Sequence, residues 1–109
     1  MNRGELWTIA GGPDYAGKPR PALIVQDDVF DVTPSVTICL LTSEFIESPA
    51  VRIALEPNAA NGLNAASQIM TDKITTVPRA KIGKRIGALT NVEMVLVDRA
   101  IMIFLGLGG

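Results

Sequence analysis

No histidine occurs anywhere in the 109 residues. That absence removes the commonest general acid–base group, the commonest metal ligand and every nucleophile pair built on imidazole. An enzyme made from this chain works without it. Cysteine is nearly absent too. Cys39, inside "VTICLL", stands alone, so neither an internal disulfide nor a cysteine-based metal framework can form. A lone cysteine in an apolar run reads as a small buried hydrophobe rather than a reactive thiol. No apolar run reaches the roughly 18 residues of a membrane span, and "MNRGELW" has no signal-peptide core. These absences predict a soluble, cytoplasmic protein without a membrane partner. Charge of one sign is also missing: 10 basic against 11 acidic residues give a net −1, so total charge does not announce nucleic acid.

What is present is 48% hydrophobic, enough for one core, and the length predicts one domain over residues 1–109. Strand signals dominate the first four fifths. "GELWTIA", "PALIVQ", "VTICLLT", "VRIAL", "SQIMTDKITTV" and "KRIGAL" are short runs rich in apolar or β-branched residues. Turn formers separate them: "GGPDYAGKP", "DDVFDVTPS", "EPNAANGLN" and "VPRAKIGK". Five to seven short strands predict a small barrel or curled sheet. The C-terminus then changes period. Thr90 and Glu93 form a capping-box pattern ahead of "VEMVLVDRAIMIFL", and "GLGG" supplies a glycine stop. Val92, Val95, Leu96, Ile103, Phe104 and Leu107 recur at helical spacing and are expected to face the core, with width enough for a partner as well.

Charge is unevenly distributed. Five bases and no acid lie between Lys73 and Arg85, whereas Asp27 to Glu56 holds six acids and one base. A basic stripe of this kind is either a solvated face or a phosphate track. Arg20 is a second feature, held between Pro19 and Pro21 at the mouth of an apolar run. The two prolines restrict the backbone around it, and a guanidinium fork suits carboxylate or phosphate. Its target is either a ligand or the Asp27–Asp28 pair. Thr42-Ser43 closes another apolar run, where hydroxyls either meet a ligand or cap the next turn. Trp7 reads as core rather than as a base-stacking platform.

In chain order, "RGELW", "RPALIV", the "TS" pair Thr42-Ser43, "TDKITTVPR", "IGKRIG" and the terminal "LGL" resemble the MazF/PemK family of toxins from bacterial toxin–antitoxin pairs. The resemblance covers nearly the whole chain. It implies an SH3-like small barrel, mainly β with a C-terminal helix, assembled as a homodimer. It implies an endoribonuclease that cuts single-stranded RNA, often mRNA, without metal or other cofactor. The ribose 2′-OH attacks, leaving a 2′,3′-cyclic phosphate and a 5′-OH. The arginine of "RP" and the threonine of "TS" carry over as Arg20 and Thr42, and a carboxylate used by some members carries over as Asp72. The expected RNA-binding residues are Lys18, Ser43, Lys73, Thr76, Arg79 and Lys81. A cognate antitoxin is the implied protein partner. Two departures stand out. The loop Ala10–Pro19 is short and lacks the family's "GSEQ" centre, and Met70 replaces an arginine of some members. The rival reading is a CcdB-like DNA gyrase inhibitor, which shares the barrel but has no nuclease activity.

Overall fold

A computed structural model describes residues 1–10 and 18–108. The first-loop turn and Tyr15 lie outside those residues. Six antiparallel strands are formed among the described residues: β1 (Glu5–Ile9), β2 (Arg20–Ile24), β3 (Ser35–Thr42), β4 (Arg52–Leu55), β5 (Ser67–Pro78) and β6 (Ile82–Ala88). One helix follows, α1 (Asn91–Leu105). The sheet order is β4-β5-β3-β2-β1-β6.

Strict alternation along β2 and β3 builds two cores, one on each face. Leu23, Val25, Cys39 and Leu41 point one way, into a cluster closed by Met94 and Val97 of α1. Ala22, Ile24, Val36 and Ile38 point the other way, where Trp7, Val77 and Ile82 pack against them. Trp7 is therefore half-buried against the second core, as its apolar setting predicts. The first cluster also joins Leu55 of β4 to Ile86 of β6, the two edges of the sheet. In a flat sheet five strand spacings would hold those edges about 24 Å apart. Their shared core means that the sheet curls strongly, as a small barrel requires.

The curl has a local cause in β5. Ile69 to Ile74 on β5 spans the same stretch of ladder as Cys39 to Leu41 on β3. The extra residues bend β5, so its first part pairs with β4 and its last part pairs with the start of β3. The long β-branched run thus serves as a corner between two parts of the sheet.

The capping box at Thr90 is complete. Its hydroxyl accepts from the Glu93 N–H at 3.1 Å, and the Glu93 carboxylate accepts from the Thr90 N–H at 2.8 Å. Gly106 closes α1 in the left-handed region at φ 71°. The buried face, however, differs from the expected one. Met94, Val97 and Ala100 are buried, with Ile101 behind them. Val92, Val95, Leu96, Ile103, Phe104 and Leu107, expected in the core, are all exposed. A helix that is apolar nearly all round has no polar side to mark its outer face. The choice falls to tertiary anchors: Arg3 pairs with Asp98 and donates through Nε to the Val25 carbonyl, and small Ala100 permits close approach.

Candidate active site

β2 and β3 run in constant antiparallel register, with Leu23 opposite Cys39 and Ala22 opposite Leu40. Arg20 and Thr42 each lie two residues beyond the last pair, Ala22 and Leu40, and by alternation fall on the same sheet face as that pair. Both line a cleft of about 370 Å³. The antiparallel course of β2 and β3 thus brings two residues 22 positions apart in sequence to one cleft. Arg20 is half-buried, while Thr42 is almost wholly buried at 8% exposure. Lys18 and Ser43 stand at the same cleft, with Thr8, Asn64 and Ser67 adding polar groups.

Hydrogen bonds show what the Asp27–Asp28 pair and Thr42 engage. The Asp27 carboxylate caps the short turn that follows by accepting from the Val29 N–H, and Asp28 accepts from the Arg3 N–H. That pair serves the far end of β2, away from Arg20. The Thr42 hydroxyl accepts from the Glu44 N–H at 3.1 Å. It caps the turn and still keeps its own proton to donate, so the two readings of "TS" are compatible.

Asp72 stands apart from Arg20 and Thr42. It does not line the cleft, and its carboxylate is engaged by Arg52, Nε to Oδ1 at 2.7 Å and Nη2 to Oδ2 at 3.2 Å. These hydrogen bonds outweigh the effect of burial and hold the carboxyl below its ordinary value. An acceptor so committed is poorly disposed to take a proton from substrate. The basic stripe also divides. Arg79 is consumed by the Asp31 carboxylate at 2.9 Å and by the carbonyls of Thr33 and Asp31. Arg85 pairs with Glu5 at 2.9 Å. The Thr76 hydroxyl shares a 2.8 Å bond with Thr37. Lys73, Lys81 and Lys84 are exposed and make no ion pair among the described residues. Lys81 lines a second, smaller cavity on the other side of Arg20.

Sequence reasoning missed the groups that hold the cleft open. Gln68, opposite Thr42, accepts from the Ile46 N–H at 3.2 Å and donates to its carbonyl at 3.0 Å. That pair of hydrogen bonds pins the loop leaving Thr42-Ser43. The opposite wall is the turn 58–64. Asn61 is buried and bonds the backbone of Glu56, Asn58 and Leu63. Gly62 (φ 66°) and Gly87 let this turn press on β6: a Cβ on Gly87 would lie 2.3 Å from the Asn61 carbonyl oxygen. The Asn-Gly signal marked a turn, but only the fold shows that the turn is a cleft wall. Cys39 is fully buried, and burial followed by the Asp72 charge pushes its thiol up to about 12, which leaves it no role as a nucleophile.

A family model described as the PemK-like, MazF-like toxin of type II toxin–antitoxin systems matches residues 2–105. The chain belongs to that family. A relative named probable endoribonuclease MazF, from Mycolicibacterium smegmatis, is 48% identical over 109 residues and aligns over the whole of both chains. Among solved structures, an endoribonuclease in complex with its cognate antitoxin, from a mycobacterial species, superposes with a TM-score of 0.82. It is 24% identical, over 100% of this chain and 98% of the other. The Mycobacterium tuberculosis toxin MazF-mt6 superposes with a TM-score of 0.80 at 25% identity, over 96% of this chain and 99% of its own. The fold is thus the MazF fold, mainly β with one C-terminal helix, as the resemblance implied. No helix among the described residues is long and apolar enough to cross a membrane.

Proposed function

We propose that this protein is a cytoplasmic endoribonuclease toxin that cuts single-stranded RNA, mRNA included, with Arg20 and Thr42 as its catalytic residues. The observation that supports the reading is that a guanidinium and a threonine hydroxyl, Arg20 and Thr42, line a common cleft. The ribose 2′ oxygen attacks phosphorus, the bond to the 5′ oxygen breaks, and a 2′,3′-cyclic phosphate and a 5′-OH remain. The 2′ proton is lost to solvent, and the departing oxygen takes one up. Negative charge grows on the phosphate oxygens as this happens. Arg20 stabilises it through paired N–H donors, and Thr42 donates a further hydrogen bond. An arginine in this role contributes about 10³ to 10⁵ in rate, roughly 4 to 7 kcal/mol of barrier. This chemistry rests on fixed donors and needs no metal. Lys18 and Ser43 hold the strand at the cleft, and Lys73 and Lys81 extend the basic track. Asp72 and Arg79, tied to Arg52 and Asp31, serve the framework.

The working unit is a homodimer, and a cognate antitoxin neutralises it. The exposed apolar face of α1 supports an association surface, and the name of the 48% identical relative supports the activity.

The test is incubation of the purified protein with a long RNA in EDTA, followed by end analysis. Fragments with cyclic-phosphate and 5′-OH ends are expected. Arg20→Ala should lose roughly 10³ to 10⁵ in kcat, and Arg20→Lys most of that, because the fork is gone. Intact RNA, or wild-type cutting by Arg20→Lys, overturns the reading. Intact RNA together with stalled gyrase would favour the gyrase-inhibitor alternative.

A further inference from the structure

Arg20 is shared by two cavities. One is the cleft that holds Thr42. The other, about 160 Å³, is floored by Ile38, Leu40 and Val77, with Lys81 at its rim. The floor belongs to the same sheet face as Arg20, since Ala22 pairs with Leu40 and Ile24 with Ile38. Leu40 precedes Thr42 by two residues on that face, about 7 Å along the strand. The second cavity is therefore the next compartment along the path that runs through Arg20. Its floor is apolar and only half-covered at Leu40 and Val77. Its described charged groups are both cations.

We propose that this cavity is a base-binding subsite beside the scissile phosphate. It takes one unstacked nucleobase of a single strand on the half-exposed Leu40 and Val77, which the fully buried Ile38 supports from beneath, and Lys81 holds the phosphate on that nucleotide's outer side. Three features fit that ligand. An apolar floor gains from covering a base face, whereas a bare phosphate gains nothing there. The rim cations match the phosphates that flank every base. The volume is less than half that of the cleft, which limits it to one base. Among the described residues the floor is aliphatic, so the contact they offer a base is apolar burial. Leu40 is then a specificity-determining residue. The inference rests on the ribonuclease reading above.

The experiment maps cleavage ends in a random-sequence RNA pool for the wild type, Leu40→Trp and Lys81→Ala. Leu40→Trp fills the cavity and is expected to change base preference at one position beside the cut. Lys81 is exposed, so Lys81→Ala keeps the test alive if the tryptophan variant does not fold. Lys81→Ala is expected to raise KM about tenfold, and to lower the slope of log binding against log salt by about 0.7, one phosphate contact on a single strand. Wild-type cutting with the same base preference in Leu40→Trp and the same KM and slope in Lys81→Ala overturns the subsite alone. Absence of cutting by the wild type overturns the ribonuclease reading and the subsite together.

Discussion

Asp72→Asn separates a framework carboxylate from a catalytic one. The substitution keeps shape but removes the charge and one acceptor from the Arg52 fork. Arg52 bears the loss, because its side chain is only 6% exposed, against 23% for Asp72. Losing a hydrogen bond to a charged group costs about 1.5–3 kcal/mol. Asp72→Ala, which strands the whole guanidinium, should approach the roughly 3–5 kcal/mol seen when one partner of a buried pair is removed. At about 4 °C per kcal/mol for a chain of this size, Tm should fall by about 6–12 °C in the asparagine variant. Thermal melts measure this, and cleavage kinetics are run well below both midpoints. We expect kcat to stay within about threefold of wild type, against a loss of roughly 10² to 10⁴ for removal of a general base. The pH dependence gives an independent reading. Arg52 lowers the folded-state pKa of Asp72 below its ordinary 3.8, against the opposing effect of burial. A carboxylate of this kind contributes its full stability above 3.8 and loses it as pH falls through the folded value. The stability gap between wild type and Asp72→Asn should therefore narrow as pH drops below 3.8. A hundredfold fall in kcat with an unchanged Tm would refute the framework role.

Two further predictions follow from packing. Gly87→Ala drives a Cβ to 2.3 Å from the Asn61 carbonyl oxygen; it should cost about 1–3 kcal/mol and lower kcat/KM by shifting the cleft wall, as melts and kinetics would show, whereas wild-type values in both would mean that the wall is not tightly held. Ile103→Asp, at a site 60% exposed, should leave the monomer's own stability within about 0.5 kcal/mol and weaken dimerisation at least tenfold by removing about 1.5–3 kcal/mol of burial per side chain, measured by sedimentation across concentration; a wild-type protein that stays monomeric throughout would defeat it.

Strand positions were legible because period-two alternation and turn formers agree along most of the chain. The bend in β5 was not: Asp72 and Lys73 are weak strand formers, but no glycine, proline or turn pair marks Met70 to Lys73; the corner exists only where two different strands pair with one. The face of α1 was misread for a related reason. Periodicity finds a helix, but one that is apolar nearly all round is oriented by its neighbours, here Arg3 and the sheet surface near Val25. Charge was the least legible property. "TDKITTVPRAKIGKR" reads as one basic stripe, yet Asp31 and Glu5, distant in sequence, claim two of its arginines. Those acids cannot be matched to their partners without the strand order.

Pro21 ties the strand ladder to the site. Proline is disfavoured on an interior strand, because it lacks the ladder's N–H. Yet β2 lies between β1 and β3. Just past the end of β2, Val25 donates to the Thr37 carbonyl. Alternate residues of the strand point to the same neighbour, so Leu23 and then Pro21 follow toward β3. At Pro21 there is no proton to give. The proline therefore cannot donate to Leu41, and the pairing of β2 with β3 runs no further than Ala22 and Leu40. Arg20 and Thr42 lie just beyond that end, where Pro21 and Leu41 themselves line the cleft. The residue that stiffens the backbone at Arg20 thus also ends the ladder where the cleft opens. A proline at Leu23, where β2 pairs with Cys39 in the middle of the ladder, would break pairing inside the core instead.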